Sequence, residues 1–424
     1  MSQSTARFRD KREAILDGAA RMFNQHGVKG GMISDIARSV GLATNSLTYY
    51  YRKKEDLVAA CLLRSVEAMC AAADAAAGAG TQAERVRGFI ARYLGLLAEI
   101  GAGQHPELIV FSDLLTVTAP HDAAVVAAYN EMFRRVRRLL DVGTPAAQDA
   151  AARNARAHLL LSSVSWARAW LLRYEPQDYP RVAARIADIL LYGIGTHALQ
   201  PAAAPPQLQW NASGDAVDSA TREAYLRAAT RLVNQHGYHG ASVDRIAAVL
   251  QLTKGSFYHH HETKEELIAA CFERTFGVMR AAQAAALAAS GSGLDRLALA
   301  CRALLAFQMS PDGPLLRVTA WTGLPDPLRS ETRRTMGRLG ERFATLVIDG
   351  MDDGSVRVVD PSIAAQVING MVNAAAELER WARGIDAANV FELYAMPVFT
   401  GLQSAAGATA APAPRTPARI PMPG

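Results

Sequence analysis

One stretch of the sequence occurs twice, and it decides how the chain folds. Residues 24–57 are "NQHGVKGGMISDIARSVGLATNSLTYYYRKKEDL", and residues 234–267 are "NQHGYHGASVDRIAAVLQLTKGSFYHHHETKEEL". These copies belong to longer segments, 11–69 and 221–279, which align without a gap at a constant offset of 210 positions (221 minus 11). Self-similarity at a fixed offset indicates a duplication, and this period is too long for a solenoid. We therefore expect two tandem copies of one domain-sized unit.

Each copy has the spacing of several short helices. In the first, Ile15, Ala19 and Phe23 recur at helical spacing, and Gly27 then ends the helix. The pattern predicts short helices over residues 33–40 and 44–50, with a turn at Gly41 between them. Two short helices joined by a tight turn are typical of a helix-turn-helix module, whose second helix enters the DNA major groove.

Three motifs carry a resemblance to a known family. These are "NQHG", the "IARSVGL" of the first copy, and the "KEDL" or "KEEL" that opens the long helix. On them, both copies resemble the N-terminal DNA-binding domain of the TetR/AcrR family of bacterial transcriptional regulators. The resemblance implies an all-α fold of two tandem TetR-like units. Each unit would be a three-helix helix-turn-helix domain followed by a helical ligand-binding and dimerisation domain.

The repeat and the composition of the connecting segments set the expected domain boundaries. Pro, Ala, Gly and Ser are abundant between the halves and after residue 405, which is typical of a linker and of a disordered tail. The expected order is helix-turn-helix domain 1 (8–56), helical regulatory domain 1 (57–198), linker (199–217), helix-turn-helix domain 2 (218–266), helical regulatory domain 2 (267–405) and tail (406–424).

Three consecutive histidines, His259, His260 and His261, invite a metal-site interpretation. Successive residues on a helix point about 100° apart, so three adjacent rings cannot converge on one ion. The histidines align with Tyr49, Tyr50 and Tyr51 of the first copy. The resemblance implies that the first two positions face DNA and that the third is a core ring. We expect neither a metal nor a cofactor.

The predicted recognition helices carry short polar side chains, which can donate or accept hydrogen bonds at base edges and phosphates. The resemblance adds a lysine at the start of the next helix as a phosphate ligand. A solvated polar helix surface is the alternative for each position. The residues expected to contact DNA are Thr44, Asn45, Ser46, Thr48, Tyr49, Tyr50 and Lys54 in the first copy, and Thr253, Lys254, Gly255, Ser256, Tyr258, His259, His260 and Lys264 in the second.

The two copies depart from the family pattern in different ways. Thr48 stands where the family usually has a tyrosine that contacts phosphate. Gln251 stands where the first copy has Gly41, and a positive φ there would cost a residue with a side chain about 1 kcal/mol. The first copy is also richer in Arg and Lys, so we expect it to supply more of the nonspecific affinity for phosphate.

About 130 residues of amphipathic helical pattern follow each copy. The candidate helices span residues 82–100, 106–116, 123–140, 146–174 and 180–197 in the first half and 294–309, 326–348, 361–383 and 389–404 in the second. In the family, such helices enclose a cavity for a small-molecule effector. Phe111, Trp166, Phe307, Met309 and Trp321 could line one, although ordinary core packing remains the alternative for each.

Composition limits the other classes of protein. Half of the residues are hydrophobic, the net charge is +5, and the four cysteines form no CxxC pair, so we expect a cytoplasmic protein without disulfides or a membrane span. The sequence shows no acid, base and nucleophile at convergent spacing, so we expect no enzyme. A partner-binding or sensory protein in which one unit has lost DNA affinity remains the rival hypothesis.

The favoured function is a ligand-responsive repressor that binds a double-stranded DNA operator. Because one chain carries both units, its halves are expected to form an internal pseudo-dimer. The recognition segments differ, "TNSLTYY" against "KGSFYHH", which predicts an operator with two unlike half-sites. A homodimer that pairs like unit with like unit would restore a palindrome, and this alternative stays open.

Overall fold

The computed structural model describes residues 3–111, 122–141, 150–199, 208, 216–251 and 263–403. The first half contains α1 (Gln3–Gly30), α2 (Ile33–Ser39), α3 (Thr44–Tyr50), α4 (Lys54–Ala77), α5 (Gln82–Gly101), α6 (Asp122–Arg138), α7 (Ala150–Trp170) and α8 (Tyr179–Tyr192). The second contains α9 (Ala216–Gly240), α10 (Val243–Val249), α11 (Lys264–Ala288), α12 (Gly293–Met309), α13 (Asp326–Asp352), α14 (Pro361–Ala374) and α15 (Met396–Thr400). The chain has the predicted all-α fold. Within the described ranges, no helix is both long and apolar enough to cross a membrane.

The first helix-turn-helix unit is built as its sequence predicts. Gly27, with φ of 70°, breaks the helical path near the end of α1. Gly41, with φ of 67°, makes the turn between α2 and α3. Ile36 and Leu47 are fully buried, one from each short helix, so the two helices are fixed against a shared core.

The second unit repeats this arrangement. Gly237 breaks α9 at φ of 70°, and α10 corresponds to α2. Gln251 has φ of 56°, the only positive value at a described residue other than glycine, so the turn keeps its geometry despite the strain of a side chain. Residues 252–262, including the predicted recognition segment, lie outside the described residues.

One predicted helix of the regulatory domains is wrong over its first residues, and its residues 112–116 lie outside the described residues. Residues 106–110, at the start of the candidate helix 106–116, are not helical. The backbone of this segment is bonded to side chains of other helices, including Asn24, which accepts from Val110 N and donates to Leu108 O. These bonds replace the hydrogen bonds that a helix would make internally.

Three further predicted helices end earlier than expected or lose their regular form. α8 ends at Tyr192 because Gly193 adopts φ of 69°, and residues 194–196 then pair with the second half. α14 ends at Ala374, after which the chain continues as a 3-10 turn and one further helical turn to Trp381. The last candidate helix begins as a π-helical turn over Phe391–Ala395.

The two halves join through reciprocal backbone hydrogen bonds. Amide groups of the first half donate to carbonyl groups of the second, and the second half returns the same bonds. They are Ile194 N to Val398 O (3.0 Å), Gly195 N to Phe399 O (2.9 Å), Leu402 N to Leu190 O (2.8 Å) and Gln403 N to Leu191 O (3.2 Å). Each donor and its counterpart are separated by 208 positions (402 minus 194, 403 minus 195), as are the acceptors. Contacts in which each surface repeats the other's bonds are the mark of a two-fold interface.

Two glycines make this close approach possible. Gly193 ends α8 and Gly401, with φ of 94°, ends α15. A Cβ on Gly193 would lie 2.3 Å from Phe399 O, and a Cβ on Gly401 would lie 2.4 Å from Leu191 O. Either side chain would collide with the backbone of the opposite half, so the seam requires glycine at both positions.

Side chains extend the contact between halves along α7 and α14. Trp166 lies against Gly370, where an added Cβ would come within 2.8 Å of the indole. Farther along the chain, Arg357 forms an ion pair with Asp188 (2.7 Å) and donates to Gly193 O (2.7 Å). Packing, ion pairing and backbone bonds therefore all cross the seam.

Candidate DNA-binding surface and central cavity

The surface of α3 presents to solvent most of the DNA-contacting side chains that are predicted for the first unit. Leu47 is fully buried and anchors the helix. Thr44, Asn45, Ser46, Thr48 and Tyr49 are exposed, and Tyr50 is half-buried. The ring of Tyr49 projects farthest, with 77% of its surface accessible. This face therefore offers an amide, three hydroxyls and a phenol that can donate or accept hydrogen bonds.

The start of α1 lies beside the end of α3. Phe8 stacks on Tyr50, with 4.8 Å between ring centroids, and meets Tyr49 edge-on at 6.4 Å. The sequence does not predict this aromatic contact. Its only indication there is one aromatic residue, Phe8, among the charged residues at positions 7–11.

Positive charge surrounds these rings. Five exposed cations flank the Phe8 contact in sequence, and none forms an ion pair with a described residue. They are Arg7, Arg9, Lys11, Arg52 and Lys53. We call them the basic arm. Unpaired cations beside an exposed polar helix favour contact with a polyanion.

The position after Tyr50 is a core ring, as the resemblance implies. Tyr51 is buried, and its hydroxyl accepts a hydrogen bond from Arg12 Nε at 3.0 Å. Burial raises the pKa of Tyr51, so the phenol is neutral at physiological pH. Its counterpart His261 lies outside the described residues.

The two predicted phosphate ligands occupy equivalent helix starts. Lys54 is half-buried at the first position of α4, and burial lowers its pKa. Lys264 opens α11, donates to Tyr238 O, and has its ammonium 4.2 Å from the centre of the Tyr238 ring. The sequence did not indicate this contact, because Val28 stands at the position equivalent to Tyr238.

The other predicted contacts of the second unit fall outside the described residues. They are Thr253, Lys254, Gly255, Ser256, Tyr258, His259 and His260. Their role in DNA binding stays a prediction.

The asparagine of "NQHG" has the same role in both halves. Asn24 donates to Leu108 O (2.9 Å) and accepts from Val110 N (2.9 Å). Asn234 donates to Leu315 O (2.9 Å) and accepts from Arg317 N (2.9 Å). We call each arrangement an asparagine clamp. Each clamp ties the first helix of a helix-turn-helix unit to the segment after the second helix of its regulatory domain.

A matched arginine reinforces each clamp. Arg64 pairs with Glu13 (3.3 Å), and Arg274 pairs with Glu223 (2.7 Å). Both arginines also donate to backbone carbonyls of the clamped segments, Arg64 to Glu107 O and Arg274 to Asp312 O. A displacement of a clamped segment would therefore be transmitted to its helix-turn-helix unit through two side chains, the asparagine and the arginine.

The matched cysteines Cys61 and Cys271 pack in the core. Each thiol is fully buried and lies against a backbone carbonyl, Leu16 O at 3.7 Å and Leu226 O at 3.5 Å. Burial raises both pKa values to about 12, so neither forms a reactive thiolate at neutral pH.

A cavity of about 1250 Å³ lies between the two halves. Both helix-turn-helix units reach it, α1 with Phe23, Asn24, Gly27 and Val28 and α9 with Val233 to Tyr238. The clamped segments, the segment after α14 and helices α7, α11, α13 and α14 also line it. His158 on α7 donates from Nε2 to Ala374 O at 3.1 Å, and burial lowers its pKa, so its ring is neutral at pH 7.

Four of the five residues named as candidates for a ligand cavity border this one. Phe111, Trp166, Met309 and Trp321 line it. Phe307 is buried instead beneath Arg274, whose guanidinium lies 5.4 Å from the ring centre.

Comparisons with known proteins agree with the repeat. The N-terminal domain of bacterial regulatory proteins of the tetR family matches residues 15–61 and again 226–271, and a tetracyclin repressor-like C-terminal domain matches residues 290–381. The transposon Tn10 TetC protein of Escherichia coli is 35% identical over 54 residues. That match covers 13% of this chain and spans only 27% of the length of TetC.

Solved structures show similar chains. The TetR family transcriptional regulator PfmR of Thermus thermophilus is 26% identical, with 42% of this chain and 99% of PfmR covered and a TM-score of 0.36. A TetR-family regulator of Bordetella parapertussis is 21% identical, with 42% and 92% covered and a TM-score of 0.37. The two N-terminal matches and the C-terminal match, each placed where the repeat predicts, support a tandem TetR-type regulator with two N-terminal domains in one polypeptide.

Proposed function

We propose that this chain is a ligand-responsive transcriptional repressor that binds operator DNA with both of its helix-turn-helix units. The reciprocal seam between the halves is the observation that carries the proposal. Helix-turn-helix proteins usually dimerise to present two recognition helices about one helical turn of DNA apart. In this chain the second half occupies the place of a partner subunit, as an internal pseudo-dimer.

The exposed face of α3 supports a direct reading role for the first unit. Asn45 is exposed and can pair bidentately with adenine, whereas Thr44 suits a phosphate or a thymine methyl group. The basic arm adds cations that can contact phosphates on either side of the groove. Base contacts would give specificity, and the arm would give affinity that depends on salt.

The two units are proposed to prefer different half-sites. Lys254 can donate to guanine and Gly255 offers no side chain, where the first unit has Thr44 and Asn45. An internal pseudo-dimer would then recognise an asymmetric operator, with half-site centres about ten base pairs apart.

Selection from random DNA tests this proposal with three proteins: the wild type, Asn45→Ala and Lys254→Ala. We expect a site without two-fold symmetry from the wild type. Each variant should lose sequence preference at one half-site only. Its free energy of DNA binding should weaken by about 1–3 kcal/mol, because one base-specific side chain is removed. If either variant relaxes both half-sites equally, the two units do not read separate half-sites.

A sensory protein with one active DNA-binding unit is the second candidate. The contact of Lys264 with Tyr238 favours it, since that ammonium is held by the protein itself. In this case Lys254→Ala and Lys264→Ala would leave operator affinity unchanged, while Asn45→Ala would reduce it. The same selection therefore separates the two candidates.

The position of the cavity supports control by a small molecule. The clamped segments form part of its wall, through Val110 and Phe111 in one half and Leu315 to Val318 in the other. A bound molecule that displaced these segments would move both helix-turn-helix units through Asn24 and Asn234. Because two recognition helices must match adjacent grooves, a small change in their spacing would weaken DNA binding.

A further inference from the structure

The central cavity belongs to both halves at once. Its walls combine α1 and α7 of the first half with α9, α13 and α14 of the second. A separate site in each regulatory domain would take two ligands per chain. A site on the seam, in contrast, is filled by one molecule that touches both halves.

The walls are unusually rich in tryptophan. The chain has five tryptophans, and the four that the structure describes, Trp166, Trp170, Trp321 and Trp381, all line the cavity. Trp381 of the second half stacks against aromatic rings of the first, 4.7 Å from Tyr129 and 5.2 Å from Phe133 between centroids. Flat indole surfaces of this kind accommodate planar or extended apolar groups.

The charge of the cavity is positive. Among the described residues that line it, six are arginines and two are glutamates. Arg168 pairs with Glu107 (2.6 Å), and Arg317 pairs with Glu377 (2.5 Å). The remaining excess of positive charge favours an anionic occupant.

Four of these arginines are exposed and form no ion pair with a described residue. One of them, Arg231, donates instead to backbone carbonyls, including Gly313 O at 3.2 Å, which leaves Arg173, Arg333 and Arg380. Arg173 lies near Gly337 of α13. Arg333 and Arg380 lie over indole rings, each with its guanidinium carbon 5.2 Å from a ring centre, that of Trp321 and that of Trp381. Each pair offers a cation and an apolar face side by side, and guanidinium groups bind carboxylate, sulfonate or phosphate oxygens in a bidentate manner.

We propose that the central cavity binds one amphipathic anion per chain, with its apolar part between the tryptophans and its acidic group at Arg333 and Arg380. The volume of about 1250 Å³ exceeds the usual range for small-molecule sites, which leaves room for a long or multi-ring molecule. This inference rests on the proposed function only in its last step, in which the ligand moves the clamped segments and alters DNA binding.

Binding is measured first without DNA. The probe is 1-anilinonaphthalene-8-sulfonate, and the neutral N-phenyl-1-naphthylamine, which has the same rings without the sulfonate, is its control. Energy transfer from tryptophan to the probe reports occupancy of this cavity, and calorimetry gives the stoichiometry. We expect one sulfonate probe per chain, with about tenfold weaker binding of the neutral probe because it cannot form the charge-assisted hydrogen bonds.

Gly337 allows the cavity to be filled. A Cβ at this position would meet only Arg173 Nη2, at 3.9 Å, so a larger side chain fits without a backbone clash. Gly337→Phe should weaken binding of the probe, whereas Gly337→Ala should retain it with the same helix content. Binding as strong in Gly337→Phe as in the wild type, or two probes per chain in the wild type, would overturn the proposal.

A double substitution tests whether Arg333 and Arg380 bind the acidic group of the probe. Arg333→Gln with Arg380→Gln should remove the preference for the sulfonate probe and leave the neutral probe unaffected. Arg334→Gln is the matched control, since Arg334 is an exposed arginine on α13 that does not line the cavity. An unchanged preference in the double variant would refute the assignment of the charge.

Operator binding is measured last, with and without saturating probe. A loss of affinity of tenfold or more in the wild type, absent in Gly337→Phe, supports the coupling through the clamped segments. If the probe binds but operator affinity does not change, the proposed coupling is wrong, while the proposed binding site is unaffected. Failure of the chain to bind any operator overturns the proposed function, while the calorimetric result on the site stands.

Discussion

The two helix-turn-helix units have similar buried contacts and different surface charges. Their interiors share an asparagine clamp, a buried cysteine, an arginine–glutamate pair and a turn with positive φ. Their outer surfaces do not share the same charges. The cations of the basic arm, at positions 7, 9, 11, 52 and 53, correspond to Val217, Ser219, Thr221, Glu262 and Thr263.

This difference shows which parts of the duplicated unit are constrained by packing. A buried asparagine or arginine must keep its partners, because an unpaired polar group in the interior costs free energy. A solvent-facing cation has no such partner and can be exchanged freely. The copies can thus diverge in what they bind while they keep the same attachment to the regulatory domains.

The largest expected effect is on the free energy of unfolding, when the arginine of each arginine–glutamate pair is replaced. The Arg274 side chain is 1% exposed and that of Arg64 is 14% exposed. Arg274→Met leaves Glu223 and two carbonyls without their donor in a dry site, so we expect a loss of about 3–5 kcal/mol in the free energy of unfolding. Arg64→Met should cost about 1–2 kcal/mol, since water can reach Glu13. Urea unfolding of both variants decides this, and equal losses would mean that burial does not set the difference.

The next effect concerns the basic arm. Replacing Arg9 and Lys11 together by Ala should reduce the slope of log K against log[salt] by about 0.9 for each phosphate that the arm no longer neutralises. Affinity should fall about equally for all DNA sequences, because the arm contacts phosphates and not bases. The matched control replaces Ser219 and Thr221, and its slope should not change. A slope that is insensitive to the first pair would exclude the arm from the DNA interface.

The smallest effect concerns the two turns. Gly41 and Gln251 both have positive φ, and a Cβ on Gly41 would meet no other atom within 4 Å, so strain alone decides the outcome. We expect Gly41→Ala to destabilise the protein by about 1 kcal/mol and Gln251→Gly to stabilise it by a similar or smaller amount. Thermal unfolding of the two variants should show shifts of opposite sign. Shifts of the same sign would contradict the account of the turn.

Local parts of the fold were predictable from the sequence. The short helices α2 and α3 follow from the spacing of apolar residues, and the positive φ of Gln251 follows from its alignment with Gly41. The polar surface of α3 follows in the same way, because a buried Leu47 leaves its neighbours on the opposite face exposed.

Long-range contacts were not predictable in this way. A helix was expected to begin at residues 106–110, yet this segment is not helical, and its backbone bonds to Asn24, 84 positions away from Leu108. The ends of α8 and α15 depend on backbone bonds between halves, and the central cavity depends on how the halves pack. None of these leaves a periodic signal in the sequence.

The mass of the complex on its selected operator shows how many chains bind one site. One chain, as an internal pseudo-dimer, should cover both half-sites of an asymmetric operator. Native mass spectrometry of the complex should then give one chain of 45.4 kDa per duplex. Two chains bound to a perfect palindrome would contradict the internal pseudo-dimer, because like units would then be paired between chains.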